Sequence, residues 1–140
     1  GRNSWDQRSD LTETAAHDCA PMMWARTDLK VGDVDTVQLY DGFSFLTITW
    51  LEALGFFPKG EAGPWLEAGE KRIGLGGEIP LNTNGGQLSG GRLHGYGYLF
   101  EACAQLRGEA TGRQVSGAEV AVVAAGGGPL GGCMLLTKNR

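Results

Sequence analysis

The chain has 140 residues and a formal net charge of −4, with 41% hydrophobic and 20% charged residues. This length and composition are ordinary for one globular domain with a hydrophobic core. Lysine and arginine form no run, which argues against a nucleic-acid-binding surface, and the apolar stretches are too short to span a bilayer.

Cysteine use is sparse. Cys19, Cys103 and Cys133 are widely spaced, and no CxxC pair is present. The pattern therefore predicts neither a zinc or other metal site nor a disulfide framework. A reducing cytoplasm is the simplest compartment for such a chain.

The first half predicts one α/β unit. Asp10, with Glu13 three residues later, predicts the start of a helix that runs to about residue 27 and is interrupted near Pro21. Residues 34–40 alternate apolar with polar side chains and predict a strand. After a break at Asp41-Gly42, residues 44–54 are apolar on almost every side and predict a buried helix. Ligands of such sheets gather at the carboxyl end of the strand, where this break lies.

The second half begins with a long irregular stretch, residues 56–77, containing one helical turn at 65–70. A short strand at 79–81 then leads into a glycine-rich segment. Residues 95–107 predict a second helix, with an apolar stripe and a glycine stop. Residues 118–125 predict a central strand buried on both faces, and 133–137 a final strand.

Three polar or glycine-rich segments lie at the ends of predicted elements. They are residues 40–44 (YDGFS), 82–95 (NTNGGQLSGGRLHG) and 124–132 (AAGGGPLGG). The second segment leads into a helix N-terminus, where free N–H groups and the helix dipole favour negative charge. Because each segment ends an element, the sequence predicts that all three meet at one pocket.

These segments resemble the C-terminal half of thiolases, in the same order and at similar spacing. The likeness is greatest to the sterol-carrier-protein type, and it covers residues 20–138. The family loop His/Asn, Asp/Glu, small, Phe, Ser/Ala matches 40–44, and Asn-x-x-Gly-Gly-x-x-Ser-x-Gly-His-Pro-x-Gly matches 82–95. The resemblance implies an α/β fold with a mixed sheet of four or five strands and helices on both faces. It also implies a lead-in or linker at 1–19 and a thiolase-like C-terminal domain at 20–140.

The catalytic positions of the family are altered. Tyr40 stands where thiolases carry a catalytic Asn or His, Arg92 stands at a catalytic His, and Ala124 aligns with a second catalytic Cys. The nucleophilic Cys of the family belongs to the N-terminal half. This pattern is similar to lipid-transfer-protein-like members of actinobacterial steroid degradation, some of which are retro-aldolases with a small OB-fold partner.

The resemblance marks candidate site residues. Those for catalysis are Tyr40, His94 and Tyr96, and those for binding the acyl-CoA substrate are Asp41, Asn82, Arg92, Gly127 and Gly128. The residues alone leave other interpretations open. Either tyrosine is equally a packing residue, His94 a structural histidine and Asp41 a cap of the following backbone. Arg92 is open to pairing with that aspartate or with a CoA phosphate.

Three functions are compatible with this sequence. The first is retro-aldol cleavage of a β-hydroxyacyl-CoA, such as a steroid side chain, which needs a coenzyme A thioester as substrate and no other cofactor. The second is an acetyl-CoA acetyltransferase whose nucleophile lies in an N-terminal half. The third is a non-catalytic acyl-CoA or lipid-binding module. The resemblance implies a full-length homodimer completed by the N-terminal half, so we expect the isolated chain to be inactive.

Overall fold

A three-stranded mixed sheet forms the centre of the computed structural model, which describes residues 5–139. Strand β1 (Thr36–Leu39) pairs in parallel with β2 (Val120–Gly126), and β2 pairs antiparallel with β3 (Gly131–Thr137). The strand order is β1-β2-β3. Helices pack on both faces of the sheet, so the apolar run of the central strand β2 is covered on both faces, as the sequence predicts.

Helices connect and cover the strands. Their bounds are α1 Ala15–Trp24, α2 Ser44–Ala53, α3 Ala62–Leu66, α4 Glu70–Ile73, α5 Gly86–Gly90 and α6 Tyr96–Arg107, with 3₁₀ turns at Trp5–Gln7 and Val31–Asp33. The division predicted between residues 19 and 20 lies inside α1, and it stays a prediction.

The larger core lies on one face of the sheet, beneath α1 and α2. Trp50 and Leu51 of α2 are fully buried there, against Val37 and Val122 of the two parallel strands. Burial of such side chains contributes about 1.5–3 kcal/mol each. This core explains the apolar residues on the buried side of α2, whereas Phe45 of the same helix is 44% exposed.

A smaller core lies on the opposite face, beneath α6. Tyr98, Ala102 and Leu106 project from one side of that helix onto Ala121 and Val123 of β2. The predicted α/β class, with a mixed sheet and helices on both faces, is therefore confirmed. The predicted number of strands is wrong for residues 5–139, which form three.

The missing strand is the segment predicted at 79–81. It makes one isolated parallel bridge, between Leu81 and Val37. The N–H of Val37 donates to the carbonyl of Pro80, and the N–H of Asn82 donates to the carbonyl of Val37. Pro80 has no N–H to continue a ladder, which limits the pairing to this short contact.

The predicted helix start at Asp10 is also wrong. The Asp10 carboxylate accepts the N–H of Thr12 at 2.9 Å, which makes a local turn. The helix begins one turn later, where the Thr14 hydroxyl accepts the N–H of Ala16 and His17 Nδ1 accepts the N–H of Thr14. Pro21 lies inside α1 without ending it.

Within residues 5–139, no helix combines the length and the apolar character that crossing a membrane requires.

Candidate functional site

Asn82 fixes the end of β1 to the glycine-rich segment. Its side-chain amide donates to the carbonyl of Leu39 at 2.9 Å and accepts the N–H of the same residue at 2.7 Å. The side chain thus supplies the two hydrogen bonds that a neighbouring strand would make. Both the donor and the acceptor group of this amide are therefore used within the chain, and the predicted role of Asn82 in substrate binding stays a prediction.

Asp41 joins the first two segments. This side chain is buried, and its carboxylate accepts the N–H of Gln87 at 2.9 Å, at the beginning of α5. It also accepts the hydroxyl of Tyr98 at 2.5 Å, while the N–H of Asp41 donates back to that hydroxyl at 3.1 Å. The aspartate therefore holds α5 and α6 against the end of β1.

Tyr98 is the hydrogen-bond partner of Asp41 that sequence reasoning missed. It lies on the apolar stripe of α6 and is 3% exposed, so the pattern alone identifies it as a packing residue. Burial, and then its hydrogen bond to Asp41, raise the pKa of its hydroxyl well above the usual value. The sequence carries no signal for this pair, because Asp41 lies 57 positions away and meets Tyr98 only in the folded chain.

Tyr40 lies half-buried beside this pair. Its ring meets that of Tyr98 edge to face, with 6.5 Å between the centroids. A methyl group at Gly42 would clash with the Tyr40 hydroxyl and with the side-chain amide of Gln87, so these two polar groups lie over the same glycine. The Tyr40 hydroxyl is thus held at the carboxyl end of β1.

A buried polar cluster supports the segment from behind. The Glu101 carboxylate, which is fully buried, accepts the hydroxyl of Thr83 at 2.6 Å and pairs with the Arg113 guanidinium at 2.8 Å. The Gln105 amide donates to Thr83 at 2.9 Å. Burial opposes ionisation of Glu101, but the hydrogen bonds from Arg113, Thr83 and Gln105 outweigh it and lower its pKa.

Arg92, His94 and Tyr96 lie on the surface at the beginning of α6. All three are exposed, Tyr96 by 73%. His94 and Tyr96 line an open groove of about 440 Å³ between α6 and β3, with Leu99 and Met134 also on its walls. The structure therefore brings His94 and Tyr96 to one groove.

The strand ends on both sides of the glycine turn between β2 and β3 line the groove that holds His94 and Tyr96, through Ala125 and Gly132. A methyl group on Gly95, at the beginning of α6, would lie 3.0 Å from the side chain of Ala125. The other backbone groups described for this turn form hydrogen bonds within the fold. Gly127 donates its N–H to the carbonyl of Leu130 at 2.8 Å, and the carbonyl of Gly128 accepts the N–H of Ala15 at 3.0 Å.

Among residues 5–139, no three His, Cys, Asp or Glu side chains are grouped so that they could hold a metal ion. The chemistry available on these residues is that of a phenol, an imidazole and a guanidinium beside a helix N-terminus.

Gly86 is essential to the junction at Asp41. It has a left-handed backbone, with φ of 62°, and an added methyl group would clash with the Asp41 carboxylate. We expect Gly86→Ala to lower the free energy of unfolding by about 1–2 kcal/mol from the backbone alone, and to speed amide exchange at Gln87. Gly90→Ala is the control, because its added methyl group would meet only the carbonyl of Asn84, at 3.9 Å. Equal stability of the two variants, measured by urea denaturation, would contradict this role.

An α/β domain with glycine-rich segments packed around the carboxyl end of a parallel strand is the class that this geometry defines. Residues 2–136 match the family described as thiolase C-terminal domain-like. The chain belongs to that family.

Similar proteins include enzymes and a carrier. The chain is 42% identical over 114 residues to the 17-hydroxy-3-oxo-4-pregnene-20-carboxyl-CoA lyase of Mycobacterium tuberculosis, covering 81% of the chain and 29% of the lyase. It is 37% identical over 134 residues to sterol carrier protein 2 of Rattus norvegicus, covering 94% of the chain and 23% of that protein. The chain thus spans less than a third of the length of either relative.

A solved structure shares the fold. The Ltp2-ChsH2(DUF35) aldolase superposes with a TM-score of 0.84 at 31% sequence identity, covering 96% of this chain and 35% of that one. The resemblance stated from the sequence is therefore confirmed.

Proposed function

We propose that this chain is the C-terminal part of a thiolase-type subunit that cleaves a carbon–carbon bond in a β-hydroxyacyl-CoA, such as one carrying a steroid side chain. The observation that carries the proposal is that the glycines of the family's segments are present, while the side chains at the family's catalytic positions are different. The glycines and Asn82 hold the family's segments in place, while Tyr40, Arg92 and His94 stand at or beside the altered catalytic positions. Relatives named as a lyase and an aldolase support it.

Retro-aldol cleavage needs a base on the β-hydroxyl group and stabilisation of the enolate that remains on the thioester. The His94 imidazole and the Tyr40 and Tyr96 phenols are the candidate proton-transfer groups. Helix α6 begins beside them, and the positive end of its dipole favours developing negative charge. The exposed Arg92 guanidinium suits a phosphate of coenzyme A.

The surface around α6 supports the presence of a covering polypeptide. Besides the groove at His94, α6 and β3 line a second groove of about 460 Å³, which Cys103, Leu106 and Leu136 face. Leu93 and Phe100 are 60% and 68% exposed nearby. Such a surface is typical of an interface. We propose that the N-terminal half of the subunit covers it.

Further parts of the proposal rest on the resemblance alone. They are the placing of substrate by Asp41, Gly127 and Gly128, a homodimer of the full-length subunit, and a small OB-fold partner. A cytoplasmic location is supported by the three free thiols.

The test is a product assay on the full-length subunit. We expect release of acetyl-CoA or propionyl-CoA from a β-hydroxyacyl-CoA, and at least about a hundredfold loss of kcat in the variant that removes the base. Tyr40→Phe, His94→Gln and Tyr96→Phe, compared with one another, identify that base. We expect the 140-residue chain to be inactive alone and active when the N-terminal half is supplied.

The same assay tests the alternatives. An acetyl-CoA acetyltransferase of Methanothermobacter thermautotrophicus is 41% identical over 116 residues. A nucleophilic cysteine in the N-terminal half, with acetyl transfer and no retro-aldol product, would replace the lyase by this activity. Binding of acyl-CoA without any product would instead favour a lipid-binding module.

A further inference from the structure

Two cysteines lie across the contact between α1 and β3. This contact begins at Ala15 and Gly131, where a methyl group on the glycine would lie 3.4 Å from the alanine side chain. Cys19 comes one helical turn after Ala15, an advance of about 6 Å. Cys133 comes two residues after Gly131, an advance of about 6.8 Å along the strand on the same face.

Cys19 and Cys133 therefore lie at similar distances from the Ala15–Gly131 contact, one along α1 and the other along β3. The Sγ of Cys19 contacts the carbonyl oxygen of Gly131 at 3.1 Å, which places this thiol over the first residues of β3. Cys19 and Cys133 are both packed against the core beneath α1, and both are partly exposed. A disulfide needs Cβ atoms about 3.5–4.5 Å apart, a separation close to that of the Ala15–Gly131 contact one turn away.

We propose that Cys19 and Cys133 are a redox pair, which a hydroperoxide oxidises to a disulfide that fastens α1 to β3. With hydrogen peroxide, the Cys19 thiolate attacks one oxygen, forms a sulfenic acid and releases hydroxide. The Cys133 thiolate then attacks the sulfenic sulfur, forms the S–S bond and releases a second hydroxide. The two thiol protons convert both hydroxides to water, so two thiols and one peroxide give one disulfide and two waters.

The electrostatics fit a slow, inducible reaction. Burial, followed by the nearby Cys19, raises the pKa of the Cys133 thiol to about 11. Burial also raises the pKa of Cys19. Thiols with raised pKa values react slowly, so the pair stays reduced until an oxidant is in excess. The disulfide would tether the helix whose first N–H already binds the carbonyl of Gly128.

Cys103 provides an internal control. It lies on α6, at the groove on the opposite face of the sheet, next to Leu106 and Arg107. It has no access to either thiol of the pair within one molecule. Cys103→Ser therefore leaves a chain with only the two cysteines of interest.

The experiment treats the Cys103→Ser chain with excess hydrogen peroxide and counts its thiols under denaturing conditions. We expect the count to fall from two to none, with a monomeric product, a mass lower by two hydrogens and a Tm raised by several degrees. Peptide mapping of the oxidised wild-type chain, without reduction, should give one linked peptide containing Cys19 and Cys133.

Adding Cys19→Ser or Cys133→Ser to the Cys103→Ser chain gives matched single-thiol controls, which should show no linked peptide and no rise in Tm. Stable sulfenic or sulfinic acid on either cysteine of the untethered wild-type chain, or disulfides only between molecules, would overturn the pairing. Because it concerns the α1–β3 contact alone, the proposal does not depend on the proposed lyase activity.

Discussion

Trp50→Ala is expected to lower the free energy of unfolding by about 3–5 kcal/mol. The indole is fully buried in the larger core and donates its N–H to the carbonyl of Gly126 at 2.9 Å. Methyl groups on Gly127 or Gly131 would press against the same ring, so the indole fills the space that the glycine turn leaves. Removing it both opens a cavity and takes away the hydrogen bond to the partly buried carbonyl of Gly126.

Trp50→Phe separates these two effects. The phenyl ring keeps most of the apolar contact but has no N–H, so we expect a loss of about 1–2 kcal/mol. Urea denaturation followed by circular dichroism measures both variants. A loss below about 1 kcal/mol for Trp50→Ala would show that the turn does not depend on the indole.

Glu101→Ala is expected to cost about 2–4 kcal/mol of unfolding free energy at neutral pH. Its carboxylate is fully buried and binds Arg113, Thr83 and Gln105 at once. Without it, a guanidinium and two polar side chains lose their shared acceptor. The exposed Glu109→Ala change provides the control and should shift stability by less than about 0.5 kcal/mol.

The same carboxylate makes stability depend on pH. Its pKa is lower in the folded chain than the ordinary value of 4.5. The stability it contributes is therefore complete above pH 4.5 and is lost as the pH falls toward the folded-state pKa. Glu101→Gln should flatten this acid limb of a plot of unfolding free energy against pH. An unchanged limb would assign the acid sensitivity to other carboxylates.

The elements that sequence reasoning located best are those with local signals. Helices α2 and α6 have apolar faces and end at or next to glycines, Gly55 and Gly108, with positive φ. Helix α5 is not predicted by the sequence, because Gly86, Ser89 and Gly90 make up three of its five residues and glycines flank it on both sides. Glycine and serine have low helix propensity. The first N–H groups of α5 are satisfied by Asp41, a side chain 46 positions away from Gln87.

The sequence predicts which segments form the site, but it does not predict the hydrogen bonds that join them. The resemblance identified residues 40–44 and 82–95, and the structure joins these segments through Asp41 and Asn82. Nothing in the spacing indicates that Tyr98 completes the junction, because a tyrosine on an apolar stripe reads as core. The cluster around Glu101 was not predicted either, because its partners Thr83 and Arg113 lie in different segments of the sequence.

Strand β3 is the last strand of the sheet within residues 5–139. All seven of its residues pair with β2 on one side, which leaves the backbone groups of the other side without a ladder partner among those residues. Such an edge can template a strand from another molecule. The ionic head group of Lys138, immediately after the strand, opposes that addition at one end only. We therefore expect this edge to promote self-association of the isolated domain as its concentration rises, while the domain stays folded.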